Sequence, residues 1–426
     1  MAGLVGSAAG GSQPDALLTA GRALLYPGLA LSSLLLVRGP AEMPIGDILM
    51  AGAGVLGALS LTRRRLRVPG GLVVAAVLVA AGALIASASS AEPLASLSIG
   101  VRLIYLVLVV PWILLTLLTE QQHVVRAVLW WLGGAAVCAV FAVLDAVLGD
   151  VVPGATVTGD NRFTGITGHV SDFGGITTMA VGAGLGAVFS SLSRRRRRPL
   201  MAGLAISATG LLLSGSVSGM LAVIAVVLFL IVQGVVRVRR AMVLGVGATI
   251  AGGFALTLLA DVGARNPLER FLVTTGQISA GVESNTYGSR LELASLAVEG
   301  IVERPLTGHG LLVEDNVLMR VFTVHNNFLA AWHGGGVLLF AGVVIASAMA
   351  VRYSMARDLA DPLRVTVASA VIAGVAFAQT APSIYNRYYW LPIAFAIVLA
   401  VRSRALRSAA VSGPQPAVPG TGPSPA

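Results

Sequence analysis

Apolar residues recur in runs separated by short polar breaks along almost the whole chain. The runs fall near 15–37, 43–61, 69–88, 98–118, 127–148, 171–191, 199–214, 218–236, 241–260, 326–350, 363–382 and 388–402. Most approach the roughly 20 residues that an α-helix needs to cross the hydrocarbon of a bilayer. The pattern predicts an all-α polytopic membrane protein with about 12 transmembrane helices in a single domain over 1–407. From Ser408 to residue 426 the chain is rich in Pro, Ala, Gly and Ser and reads as a disordered tail.

The polar breaks set the orientation. If the runs alternate in direction, the arginines at 63–67, 126, 194–198, 237–240, 352–364 and 402–407 share one side, which gathers 19 of the 29 basic residues. The positive-inside rule makes that side, with both termini, cytoplasmic. Arg38, Arg162, Arg265, Arg270, Arg290, Arg304, Arg320 and Arg387 then lie outside, and Arg22 and Arg102 within helices. The segment 199–236 is read as a hairpin turning at Ser214-Gly215-Ser216-Val217-Ser218-Gly219. One long crossing there would put the five-arginine run and the Arg237 cluster on opposite faces, against the bias.

Composition narrows the class. Of 426 residues, 56% are apolar and 11% charged, with mean hydropathy +0.86, whereas soluble domains run at about 25% charged. A soluble enzyme is excluded. All 29 basic residues are arginine, which points to GC-rich coding and a bacterial source. The net charge of +10 reads as loops held by anionic lipid rather than as nucleic-acid binding. The lone Cys138 sits in an apolar run, so neither an intramolecular disulfide nor a cysteine metal site is expected. Residues 1–14 lack a basic start before an apolar core, so the first helix is expected to insert and stay.

This topology leaves two sizeable outer loops, 149–170 and 261–325, where function is expected. In the second, Ser289-Arg290-Leu291-Glu292 reads as a capping box opening a helix that Pro305 ends. At about 100° per residue, Glu292, Glu299 and Glu303 share one face while Arg290, Ala294, Ala297 and Ile301 share the other. Arg290 thus points towards the bundle, the alternative being a guanidinium that snorkels over headgroups.

There are five histidines: His123 on a cytoplasmic turn, His169 in the first outer loop, then His309, His325 and His333. His325 opens the tenth helix, where an imidazole is still wet and suits a general base near neutral pH; the bland alternative is a histidine capping an interfacial helix. His325 and His333 stand too far apart for one metal ion on a single helix, where i, i+4 spacing is the rule. No metal or cofactor is expected. Arg162, Arg265, Arg270 and Arg290 come from the two loops that can cover one outer cavity. Guanidinium groups fork onto phosphate oxygens, so such a set suits a diphosphate and its departing charge. The long loop also holds eight acids for five arginines, among them Asp261, Glu269 and Glu283, so composition equally allows surface ion pairs.

Several stretches resemble the bacterial O-antigen ligase and O-antigen polymerase superfamily. His325-Asn326-Asn327-Phe328-Leu329 with Gly335-Gly336 is similar to the family's His-Asn-x-aromatic-Leu run ending in paired glycines. Ser289-Arg290 with Glu303-Arg304-Pro305-Leu306-Thr307-Gly308-His309-Gly310 resembles its Arg-led helix and Pro-Leu-x-Gly-x-Gly turn. Arg162-Phe163-Thr164-Gly165 with Gly168-His169 resembles an Arg-x-x-Gly stretch in an earlier outer loop, and Leu211-Leu212-Leu213-Ser214-Gly215-Ser216 the start of the family's most recognisable region. Together these cover residues 155–345. Two departures stand out: Val217 occupies a place where the family commonly has arginine, and the carboxylate often found before the glycines is missing.

The resemblance implies a fold of the large membrane glycosyltransferase type with a long, partly helical outer loop. It also implies a metal-independent, inverting transfer of a glycan from a polyprenyl diphosphate to an acceptor hydroxyl at the outer face of the bacterial cytoplasmic membrane. His325 would be the base. Arg162 and Arg290, with Arg265 or Arg270, would bind the diphosphate, and Asn326, His169, His309 and Asp172 would support them. The partners implied are the lipid-linked donor, the bilayer, and an acceptor that is a glycan, a lipid or a wall polymer. A transporter or flippase of a polyprenyl-linked glycan is the main alternative, although transporters usually carry ionisable residues near the bilayer midplane and repeated halves. A structural scaffold in envelope assembly is a third reading.

Overall fold

The computed structural model describes residues 16–37, 44–61, 68–149, 151–152, 162–190, 194–239, 272, 286–312, 324–356 and 361–411. Among these the architecture is all-helical, without strands. The helices are α1 (Ala16–Leu31), α2 (Ile45–Leu61), α3 (Gly70–Ala88), α4 (Pro93–Ile104), α5 (Val110–Leu117), α6 (Gln121–Leu148), α7 (Val170–Phe189), α8 (Arg194–Leu213), α9 (Val217–Val232), α10 (Thr286–Glu303), α11 (Asn327–Met355), α12 (Pro362–Phe377) and α13 (Arg387–Val411). A π-helical turn, Tyr105–Val109, joins α4 to α5 in one continuous rod.

Eleven of the twelve expected apolar runs are helical; the ninth, 241–260, lies outside the described residues. Five helical rods are long and apolar enough to cross a membrane: 70–88, 93–117, 121–148, 170–189 and 327–355. Five further apolar helices are shorter, at 10–17 residues, so the membrane class stands while the expected count of twelve is met only in part.

Two apolar runs overshoot their helices, for the same reason. The run 15–37 stops being helical at Leu31 because Leu34 is buried against Phe163 and Ile166, tying the chain to a loop instead of lipid. The run 363–382 stops at Phe377 because the backbone turns to meet Asn327, whose amide donates to the Ala378 carbonyl at 2.9 Å and whose Oδ1 accepts from the Ser383 amide at 2.7 Å. The last helix, in contrast, runs to Val411, past the expected tail boundary at Ser408; residues 412–426 lie outside the described residues.

The hairpin expected between 199 and 236 is present as α8 and α9. Gly215 takes φ +56°, the left-handed conformation that glycine adopts without steric cost. Ser216 caps α9 by accepting from the Gly219 amide at 3.1 Å.

Packing centres on α13, whose residues Tyr388 to Leu399 are all buried. Such a helix, apolar all round, belongs in the interior of a bundle. Around it α3 packs on α11, α7 on α12, and α1 on α2 and α6. Small residues permit the close crossings, as membrane helices require: a β-carbon on Gly134 of α6 would fall on the Ala30 carbonyl of α1.

The two ends of the bundle differ chemically. At one end, Arg22 Nε donates to the Leu117 carbonyl at 2.8 Å, Arg402 to the Leu118 carbonyl at 3.3 Å, and Arg364 to the Tyr353 carbonyl at 2.8 Å. This end gathers arginines from α1, α12 and α13; Arg364 and Arg402 were expected to share a side, whereas Arg22 was expected within a helix. The opposite end holds the candidate site.

Candidate functional site

The opposite end is built from the starts of α2, α7, α11 and α13 and from two connecting segments. The first, 162–169, is laid across the α8–α9 hairpin. The Phe163 amide donates to the Leu213 carbonyl at 3.2 Å, the Leu36 amide to the Ile166 carbonyl at 3.1 Å, and Arg162 Nε to the Ser214 carbonyl at 2.7 Å. The guanidinium is thereby fixed beside Gly215, where a side chain would crowd it. His169 is exposed and caps α7, its Nδ1 accepting from the Ser171 amide at 3.3 Å.

The second segment, α10 with residues 304–312, carries Arg290. The helix opens at Thr286, three residues before the expected cap, so Ser289 lies inside it and not at the cap position. The faces are as the periodicity predicts. Leu293, Ala297 and Ile301 are buried, while Glu292, Glu299 and Glu303 are exposed. The helix ends at Glu303, ahead of Pro305.

Arg290 lies one turn before Leu293 on the buried side. Its Nε is buried and has no hydrogen-bond partner among the described residues. Burial pushes its pKa down, yet a guanidinium remains charged. An uncompensated buried cation is costly, and an anion is the group that would offset it.

The face that carries Arg290 packs on the segment that carries His325. Leu293 and Ala297 cluster with Val324, backed by Leu329 and Ala330 of α11. His325 is half-buried immediately before the α11 cap. Asn326 is that cap: its Oδ1 accepts from the Phe328 and Leu329 amides at 2.9 and 3.1 Å, and its Nδ2 reaches the Gln379 side chain at 3.2 Å. The residue after the cap, Asn327, is fully buried and binds the turn before α13. The His-Asn-Asn sequence therefore reads as one half-buried imidazole followed by two anchors.

The glycine run has a structural task. α11 is kinked at Gly336, with φ +67° and ψ −173°, and residues 305–311 pass across it. The His309 amide donates to the His333 carbonyl and the Gly310 amide to the Gly334 carbonyl, both at 3.0 Å. His333 stacks on His309 and, among the described residues, no group of three potential metal ligands occurs.

Charged residues that the sequence left unpaired meet here. Arg387, at the start of α13, is 5% exposed and forms a two-pronged ion pair with Asp47 in the first turn of α2, Nε to Oδ1 at 2.6 Å and Nη2 to Oδ2. Asp172 of α7 accepts from Asn386 Nδ2 at 2.8 Å. Arg102 of α4 lies within electrostatic reach of Asp47, Asp172 and Arg387. The sequence signal was an acid and a base each opening an apolar run, but 340 residues separate Asp47 from Arg387. Arg265 and Arg270 lie outside the described residues. The site thus brings α10 and its Arg290 against the His325 segment, and sets Arg162 on the neighbouring hairpin turn.

No curated protein matches the chain. Residues 202–344, from within α8 to within α11, match the family model described as O-antigen ligase, a match over about a third of the chain that supports membership of that family.

Proposed function

We propose that the protein is a membrane glycosyltransferase of cell-envelope assembly. It moves a glycan from a polyprenyl diphosphate to an acceptor hydroxyl at the outer face of the bacterial cytoplasmic membrane, as a ligase or a polymerase. The observation that carries this reading is the buried, unpartnered Nε of Arg290 on the α10 face that packs against the His325 segment. A fixed cation awaiting an anion, beside an imidazole, is what displacement of a diphosphate requires.

In this reading His325 takes the proton of the acceptor hydroxyl. The oxygen attacks the anomeric carbon from the face opposite the diphosphate, with inversion. The carbon–oxygen bond to the diphosphate breaks, and the bonding pair leaves with it. Arg290 and Arg162, with Arg265 or Arg270, hold the phosphates, so no metal is called for. His169, His309 and Asn326 maintain the backbone around them. The polyprenyl chain lies between helices in contact with lipid, and the twelve-crossing topology, with both termini cytoplasmic, puts these groups outside.

The test is release of polyprenyl diphosphate from a host lipid-linked glycan by the protein in nanodiscs, compared with His325→Ala and Arg290→Ala. Release that survives a chelator and collapses in both variants is expected. Release that persists in His325→Ala removes the proposed base. No release, with translocation of the intact lipid, makes transport the better reading.

A further inference from the structure

The arginine-rich end of the bundle contains a cavity of about 180 Å³, remote from the candidate site, between the ends of α11, α12 and α13. Among the described residues, Arg352, Arg364 and Arg404 line it with one carboxylate, Asp361. That carboxylate is engaged, its Oδ1 accepting from the Leu363 amide at 3.0 Å to cap α12 and from Gln121 Nε2 at 3.4 Å. Two of the three cations converge on Tyr353. Arg364 Nη2 donates to its carbonyl at 2.8 Å, and the Arg404 guanidinium lies 5.4 Å from its ring centroid. The guanidinium positions of Arg364 and Arg404 are therefore held. Val367, Ala396 and Leu399 form an apolar wall, and Ser354 and Ser403 complete the polar part of the lining.

A cavity with three cations to one acid among its described lining residues, and with an apolar wall on one side at the end of membrane helices, matches a ligand with a phosphate at one end and hydrocarbon beyond. We propose that it binds the phosphate of an anionic membrane-lipid headgroup. Basic pockets between helices at this level recognise such lipids, each arginine near the surface adding about 1 kcal/mol. The apolar wall favours a lipid over a free phosphate ion. This site is independent of the transfer chemistry at the other end.

Thermal unfolding of the purified full chain in neutral detergent tests the proposal, with added phosphatidylglycerol, phosphatidylcholine of the same chains, or inorganic phosphate. Phosphatidylglycerol is expected to raise the midpoint and the other two to leave it unchanged. The Arg352→Gln/Arg404→Gln variant should bind phosphatidylglycerol about 30-fold more weakly and lose most of the shift. Arg237→Gln/Arg239→Gln removes two exposed charges elsewhere on the chain and should retain it. Should the double cavity variant unfold early without lipid, Arg404→Gln alone, at an exposed position, should show about half the loss of binding energy. A full shift in the cavity variants, or equal loss in the Arg237 variant, overturns the site. A shift reproduced by inorganic phosphate overturns the lipid assignment.

Discussion

The rings of His309 and His333 lie face to face, 4.7 Å between centroids and 13° from parallel. His309 also places Nε2 2.9 Å from the Gly300 carbonyl of α10. One imidazole thus joins the helix that carries Arg290 to the helix that follows His325. His309→Ala removes both contacts, and we expect a loss of about 1–3 kcal/mol in stability. Hydrogen exchange should rise through 290–303 while α6 stays protected; unchanged exchange in α10 would show that other contacts hold the helix.

Arg290 is expected to trade stability against function. Arg290→Met replaces a half-buried guanidinium, whose Nε has no hydrogen-bond partner among the described residues, with an apolar side chain of similar length. The donor-free protein should gain about 1–3 kcal/mol, while glycan transfer falls by about 100-fold or more. Thermal unfolding and turnover of the same preparation check this, and a variant that loses both would place Arg290 in the scaffold.

The Asp47–Arg387 pair ties α2 to α13 inside the bundle. Arg387→Ala leaves a carboxylate buried alone and should cost about 3–5 kcal/mol. Asp47→Leu combined with Arg387→Met removes both charges and should recover most of it. The comparison is made by thermal unfolding, and equal losses in the single and double variants would sink the idea that the pair is structural.

Gly336→Ala should be among the most damaging single-methyl changes in the chain. The new β-carbon would fall on the Leu306 carbonyl, at a φ of +67° that alanine rarely adopts. A loss of about 3 kcal/mol or more is expected. Gly133→Ala, on the exposed side of α6 with nothing within 4 Å, is the matched control and should be neutral or slightly stabilising. Similar yields and melting points for both would mean that the 305–311 segment moves aside easily.

The sequence by itself determined the class of the protein. Apolar runs require helices in lipid because no water is there to satisfy a backbone left unpaired. The α8–α9 hairpin followed from arginine placement, and the buried face of α10 from its period. His325 and Arg290 could be singled out as candidates because the proposed diphosphate displacement calls for a base and a cation whatever surrounds them. Helix ends were less accurate: Leu34 and Ala378 read as apolar continuations, and only their contacts with Phe163 and Asn327 turn the chain. The tertiary structure alone decided which charges pair. Asp47 and Arg387, or Arg162 and the Ser214 carbonyl, are brought together by helices that return to the same end of the bundle. Ion pairs and hydrogen bonds depend on distance in space, and local pattern carries no record of that distance across 340 residues.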